Sequence, residues 1–155
     1  MQVEILSFQE SRIALLEHHG AAENMAATIA RFIAWRKSSG LSPVHSSRTF
    51  GIAYKDPAST PPDQFRFGIA GEVSDDIPAN PQGVINQHIP AGRCARLRHY
   101  GPHSRLAESI LPLYQDWLPG SGEQLRDFPL FFHYLKLASD CPEQDLITDI
   151  YLPLR

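Results

Sequence analysis

The stretch "RLRHYGPHSRLAESI", Arg96 to Ile110, lies over "LLEHHGAAENMAATI", Leu15 to Ile29, when the chain is slid along itself by 81 residues. That offset sets Arg12 on Arg93, Ala14 on Ala95, Leu16 on Leu97 and His18 on His99. It continues with Gly20 on Gly101, Ala26 on Ala107 and Ile29 on Ile110. A later stretch repeats at an offset of 80, with Tyr54 on Tyr134, Ala58 on Ala138, Ser59 on Ser139, Pro62 on Pro142 and Gln64 on Gln144. A 155-residue chain suits one ordinary domain or two half-size units. The repeat predicts a single domain over 1–155 made of two half-size units that share a core, with half-repeats at about 1–74 and 83–155.

Working outward, "QVEILSF" and "RIALLEHHG" read as strands, short, apolar-rich and closed by Gly20. In the helical segment that follows, Met25, Ile29, Phe32, Ile33 and Arg36 fall on one face, and Gly40 with Pro43 is a stop signal. "RTFGIAYKD" and "QFRFGIAGEV" predict two more strands around "PASTPPD", and the polar "SDDIPANPQG" reads as a seam between halves. The second half repeats the plan. "GVINQHI" and "GRCARLRHYG" are strands around Pro90-Ala91-Gly92. A helix then aligns Leu106, Ile110, Leu113, Tyr114 and Trp117 on one face. Pro112 removes a backbone donor from that helix and is expected to kink it or delay its start. "LFFHYLKLA" and "LITDIYLPL" are the last strands, around "SDCPEQD". The expected fold class is therefore α+β: duplicated β-β-α-β-β halves forming one antiparallel sheet, helices on one face, related by a pseudo-twofold.

Alternate residues of a strand share a face. The positions kept between halves, Ala14 and Leu16 against Ala95 and Leu97, share one parity and predict the face that packs on the helices. The other parity differs: Ile13, Leu15 and Glu17 against Cys94, Arg96 and Arg98. A specific site is expected on this divergent face. His18 and His99 end the kept parity two residues before a glycine. They could form a catalytic pair, or each could donate to a nearby carbonyl and fix a turn; recurrence in both halves favours the turn.

Composition narrows the function. A net charge of -3 and a pI near 6.1, with Lys and Arg scattered, exclude the basic footprint of a nucleic-acid binder and a polybasic membrane patch. No apolar run approaches the roughly 20 residues of a membrane span, and the N-terminus lacks a signal-peptide pattern. Cys94 and Cys141 are far apart and read as reduced thiols, so a cytoplasmic protein is expected. Gly101-Pro102 between His99 and His103 spoils helical metal presentation, and no third ligand follows by spacing, so neither metal nor cofactor is expected. Motifs for phosphate loops, dinucleotides, nucleophile elbows or zinc proteases are absent. Glu17, Glu72, Glu108 and Asp149 lie on separate elements, and nothing in the sequence brings them together for acid–base work. Trp35 is expected in the core. Tyr54, Phe132 and Tyr134, with Trp117 at the end of the second helix, form the candidate lining for an organic ligand.

The stretches "RHYGPHSRL", "QDWLPGSGEQLRDFP", "GIAYKDPASTPPDQFRF" and "LITDIYLPLR" together resemble the GyrI-like effector-binding domain, in that family's order and over nearly the whole chain. The resemblance implies two half-domains about a pseudo-twofold, with a cleft between them for lipophilic, often cationic, aromatic compounds. Members of the family occur in AraC-type and MerR-type bacterial regulators and also alone, as in DNA gyrase inhibitory protein. Here all 155 residues are taken up by the module, which implies a stand-alone form. Family members commonly carry a buried glutamate in the strand after the "RDxP" segment. Aligning "DFPLFFHYLK" puts Phe132 there, while Gly68 stands where the first half often has an acid and Asp149 is kept. A phenyl ring cannot offset a cation's desolvation as a carboxylate does. The departure therefore points to neutral ligands unless another acid, Glu72, takes over.

Three functions follow as expectations. The first is binding of small lipophilic or aromatic molecules, neutral or cationic, for sensing or sequestration, through Tyr54, Glu72, Trp117, Phe132 and Tyr134. The second is inhibition of a protein partner such as DNA gyrase, or action through a regulator. The third is hydrolysis of reactive electrophiles, which the loss of an acid at Phe132 disfavours, so a non-enzyme is the stronger expectation.

Overall fold

The computed structural model describes residues 1–56 and 59–155. Its elements are β1 (Val3–Phe8), β2 (Ser11–His19), α1 (Met25–Ser39), β3 (Thr49–Ile52), β4 (Arg66–Glu72), β5 (Ile85–Ile89) and β6 (Gly92–Tyr100), then α2 (Ala107–Pro112), a π-helical turn (Leu113–Trp117), α3 (Leu118–Ser121), β7 (Phe131–Tyr134) and β8 (Ile147–Pro153). The chain is α+β, and the strand ladders in each unit are antiparallel. The loop "PASTPPD" includes Pro57 and Ala58, which lie outside the described residues. Contacts divide the chain into two compact units, Glu10–Pro90, and Met1–Gln9 with Ala91–Arg155.

In the unit Glu10–Pro90, the strand order is β5-β2-β4-β3. The register Leu16↔Ile69 and Ala14↔Gly71 gives one face to Ala14, Leu16 and Ile69. These pack with Phe32 and Trp35 of α1 and with Val73, Ile77 and Val84 in one core. The face expected for α1 is corrected by the structure. Thr28, Phe32, Trp35 and Arg36 are the buried residues, whereas Ile29 and Ile33 are 38% and 45% exposed. Two forces set that rotation: a hydrogen bond draws Thr28 to His18, and Trp35 brings more apolar area to the sheet than Ile33 can. Gly40 closes the helix in a left-handed conformation, its N–H donating to Arg36 O.

The segment expected to be a seam belongs to this unit. Ile77 and Val84 enter its core, and the Asn86 amide bonds both backbone groups of Ile77 at 2.8 and 3.0 Å. The breaks between units fall instead beside Gln9 and Pro90.

In the other unit the order is β1-β6-β8-β7. Leu97↔Ile150 and Ala95↔Leu152 place four buried side chains on one face. Leu113 is the fully buried anchor of the helical segment. Pro112 cannot donate back along α2, and the turn immediately after it is wound as a π-helix, the wider coil that tolerates an interrupted ladder. Each sequence repeat lends its opening strand away: β1 pairs with β6, and β5 with β2.

The strand-to-helix corners are built alike in the two units. Gly20 (φ 110°) donates to Phe65 O at 3.0 Å, and Gly101 (φ 114°) donates to Leu146 O at 2.8 Å. Those angles are costly for a residue with a side chain, which accounts for glycine at both corners.

Candidate functional site

The divergent face of β2 carries Ile13, Leu15 and Glu17, and the ladder sets Ala70 beside Leu15 and Gly68 beside Glu17. Ile13 and Leu15 are fully buried. Gly68 is small for a reason: a Cβ there would meet Leu15 Cδ1 at 2.8 Å and Tyr54 Cε2 at 3.1 Å. The Tyr54 ring is thus laid close over the sheet at Gly68. The Arg66 guanidinium covers the ring, 3.9 Å from its centroid. Arg66 also donates to Glu17 Oε1 at 2.5 Å, and His19 Nε2 lies 3.0 Å from Glu17 Oε2.

These contacts set the protonation of the group. The hydrogen bond from Arg66 holds the Glu17 carboxyl below its ordinary range against an opposing desolvation. Burial, reinforced by the Glu17 charge, pushes the Tyr54 phenol up. Glu17, Arg66 and Tyr54 therefore form a stack of acid, cation and ring, with the Arg66 side chain 40% exposed.

A second acid–cation–ring group lies further along the same face. Glu72 accepts from Arg48 Nη2 at 2.7 Å and from Arg48 Nε at 3.1 Å, and the Arg48 guanidinium sits 5.1 Å from the Phe50 centroid. Glu72 is thus engaged by an arginine. The other unit repeats the theme of paired charges on its own divergent face. Arg98 holds the buried Asp149 with two hydrogen bonds, 2.8 and 3.1 Å, and Arg96 bonds Glu4 at 2.5 Å. Beside them Phe131 stacks on Tyr151 at 5.0 Å, with Phe8 edge-on to both.

Over residues 1–155 the sequence matches the family described as the GyrI-like small molecule binding domain. The chain belongs to the GyrI-like family. It is 44% identical to the "Probable transcriptional regulator YgiV" of Escherichia coli (strain K12) over 154 residues, which is 99% of this chain and 96% of that one. It is 26% identical to the "DNA gyrase inhibitor" of Erwinia billingiae, over 99% of this chain and 97% of that one. Its fold is similar to the crystal structure of the EcmrR C-terminal domain, with a TM-score of 0.81 at 18% identity, covering 99% of this chain and 97% of that one. No helix among the described residues is long and apolar enough to cross a membrane.

Within this GyrI-like domain the expected lining residues divide. Tyr54 and Glu72 stand on the divergent face of their unit. Phe132 and Tyr134 do not share that placement: the register Phe132↔Ile150 and Tyr134↔Thr148 puts them on the helix-bearing face. Their rings are 6.2 Å apart, and Tyr134 also meets His103 at 5.0 Å, just before α2. Burial drives the Tyr134 phenol well up. Trp117 closes the π-helical turn, half-buried. The expected equivalence of Tyr54 and Tyr134 is corrected by the ladders, where Gly51↔Ile69 answers Phe132↔Ile150 at an offset of 81. The offset of 80 seen in the loop is one residue short, and one residue turns a strand side chain to the opposite face.

The histidines serve the corners. His18 Nε2 donates to Ala21 O at 2.8 Å, which leaves Nδ1 to accept from the Thr28 hydroxyl at 2.7 Å. His99 makes the matching pair, to Pro102 O at 3.2 Å and the Ser109 hydroxyl at 2.7 Å. A shallow depression of about 220 Å³ beside the first corner is lined by Ala21, Ala22, Glu23, Thr60, Pro62 and Phe65, none of them an expected ligand contact. Sequence reading missed Arg66 and Arg48. The signal for Arg66 was Glu17, an acid that follows the apolar run of β2 and needed a cation nearby.

Proposed function

We propose that this GyrI-like chain binds small, uncharged lipophilic or aromatic molecules on its divergent faces, as a cytoplasmic sensor or sequestering module. The observation that carries the reading is the pairing of the acids there: Glu17 with Arg66, Glu72 with Arg48, Asp149 with Arg98 and Glu4 with Arg96. A cationic ligand must break open an ion pair of this set and face the displaced guanidinium. A neutral aromatic ring needs no such exchange, because it can stack on the outer side of Arg66 while the inner side rests on Tyr54. The matched corners at His18 and His99 also support the view that the halves arose by duplication of one β-β-α-β-β unit.

Calorimetric titration with an uncharged bicyclic aromatic compound tests it. Saturable binding is expected, weakened about tenfold by Tyr54→Ala, which removes the support under Arg66. Absence of saturable binding across a set of neutral aromatics overturns the reading.

A second reading, inhibition of a protein partner, is favoured by the relative named DNA gyrase inhibitor. A supercoiling assay indifferent to excess protein removes it. Hydrolysis gains no support from the divergent faces, because a carboxylate held by a guanidinium is a poor base for activating water.

A further inference from the structure

On the helix-bearing face of the unit that ends at Arg155, the ladders set His99, Thr148 and Tyr134 in one row, as His99↔Thr148 and Tyr134↔Thr148. Thr148 is fully buried, and its hydroxyl has no hydrogen-bond partner among the described residues. His99 cannot supply one, because its two ring nitrogens are spent on Pro102 O and the Ser109 hydroxyl. We infer that Thr148 is the hydrogen-bonding floor of a seat for an uncharged phenol or aromatic alcohol, whose ring lies against Tyr134 and whose hydroxyl pairs with Thr148 Oγ1. This seat is on the face opposite the one read above. It shares with that reading only the uncharged ligand, so the two stand or fall separately.

The duplicated plan shows that the fold does not need this hydroxyl. At the same offset of 81, His18↔Phe67 answers His99↔Thr148, and Phe67 packs against its own core. The neighbouring positions are exchanged as well: Tyr134 answers Ala53, and His103 answers Ala22. One unit therefore has a phenyl ring and two alanines at these three places, and the other has a small hydroxyl and two rings. A valine would fill the shape of Thr148 without stranding an oxygen, and a stranded buried hydroxyl is costly. A partner from outside the fold accounts for keeping it. Access is graded from the floor outward: Thr148 is buried, Tyr134 half-buried and His103 exposed, its ring 5.0 Å from that of Tyr134. An aromatic ligand takes the place of His103 against Tyr134 and reaches Thr148 from there, since residues opposite in an antiparallel pair stand about 4.5–5.5 Å apart at Cβ. Phe132, with its ring 6.2 Å from Tyr134, extends the same face without a polar atom.

The test titrates 2-naphthol and its hydroxyl-free isostere 2-methylnaphthalene, at neutral pH and by NMR, against wild type, Thr148→Val and Thr148→Ser. Wild type is expected to bind naphthol at least about tenfold more tightly than methylnaphthalene, because a site built around a hydroxyl rejects the analogue that lacks one. Thr148→Val is expected to remove that preference, and Thr148→Ser, which restores the hydroxyl, to keep it. Thr148→Ala reads the same ratio should the valine variant fail to fold. Equal affinities in wild type, or a preference unchanged in the folded valine variant, overturn the inference, while methylnaphthalene binding weakened by Tyr54→Ala leaves the function above standing. Naphthol binding lost in Thr148→Val, with no neutral ligand weakened by Tyr54→Ala, supports the inference and removes the divergent-face reading. If no form binds either probe, both fall.

Discussion

His18 is a polar ring with 5% of its surface exposed, and both of its nitrogens are used: one donates to a carbonyl of the corner, the other accepts from Thr28 on α1. The same residue type at the same place in the second half makes the same two kinds of bond. The turn-fixing role was legible in the sequence because a histidine two residues before a glycine recurs at a fixed offset. Its helix partner was not, since Thr28 and Ser109 are different residues. Thr28→Val keeps the shape but strands a buried ring nitrogen, and should cost about 1–3 kcal/mol in urea unfolding. A cost near zero would mean that water or another group replaces the hydroxyl.

At the scale of elements, order and type were readable and rotation was not. β2 and β6 announce both faces through alternation, and Ala14 and Leu16 do pack toward α1. Helix α1 carries apolar residues on more than one side, so spacing alone could not choose between Ile33 and Trp35. The choice was made by tertiary contacts, the sheet accepting Trp35 and His18 holding Thr28. Truncating Trp35 to alanine should therefore cost about 3–5 kcal/mol, and Ile33→Ala less than about 1 kcal/mol, in matched denaturation curves. Comparable losses would contradict the observed rotation of the helix. β7 shows the opposite difficulty. Its loop aligns at an offset of 80 and its ladder at 81, so Phe132 and Tyr134 lie on the helix-bearing face of their unit while Tyr54 lies on the divergent face of its own.

For the whole molecule, family and fold were legible because the repeat and four ordered stretches run the length of the chain. The charge logic of the candidate site was not. It depends on arginines at positions 48, 66 and 98 meeting acids far away in sequence, which only the strand registers bring together. The near-neutral total charge already hinted that acids and bases balance, but not that they balance locally on the faces proposed to meet ligand. Thermal shifts of the unmodified protein with matched neutral and cationic aromatic compounds test that local balance, because a ligand for the folded state raises the melting temperature whatever its identity. Neutral members are expected to raise it more than their cationic partners throughout the series. Stronger stabilisation by the cations would contradict the proposed selectivity, and would mean that an acid on the divergent faces leaves its arginine readily.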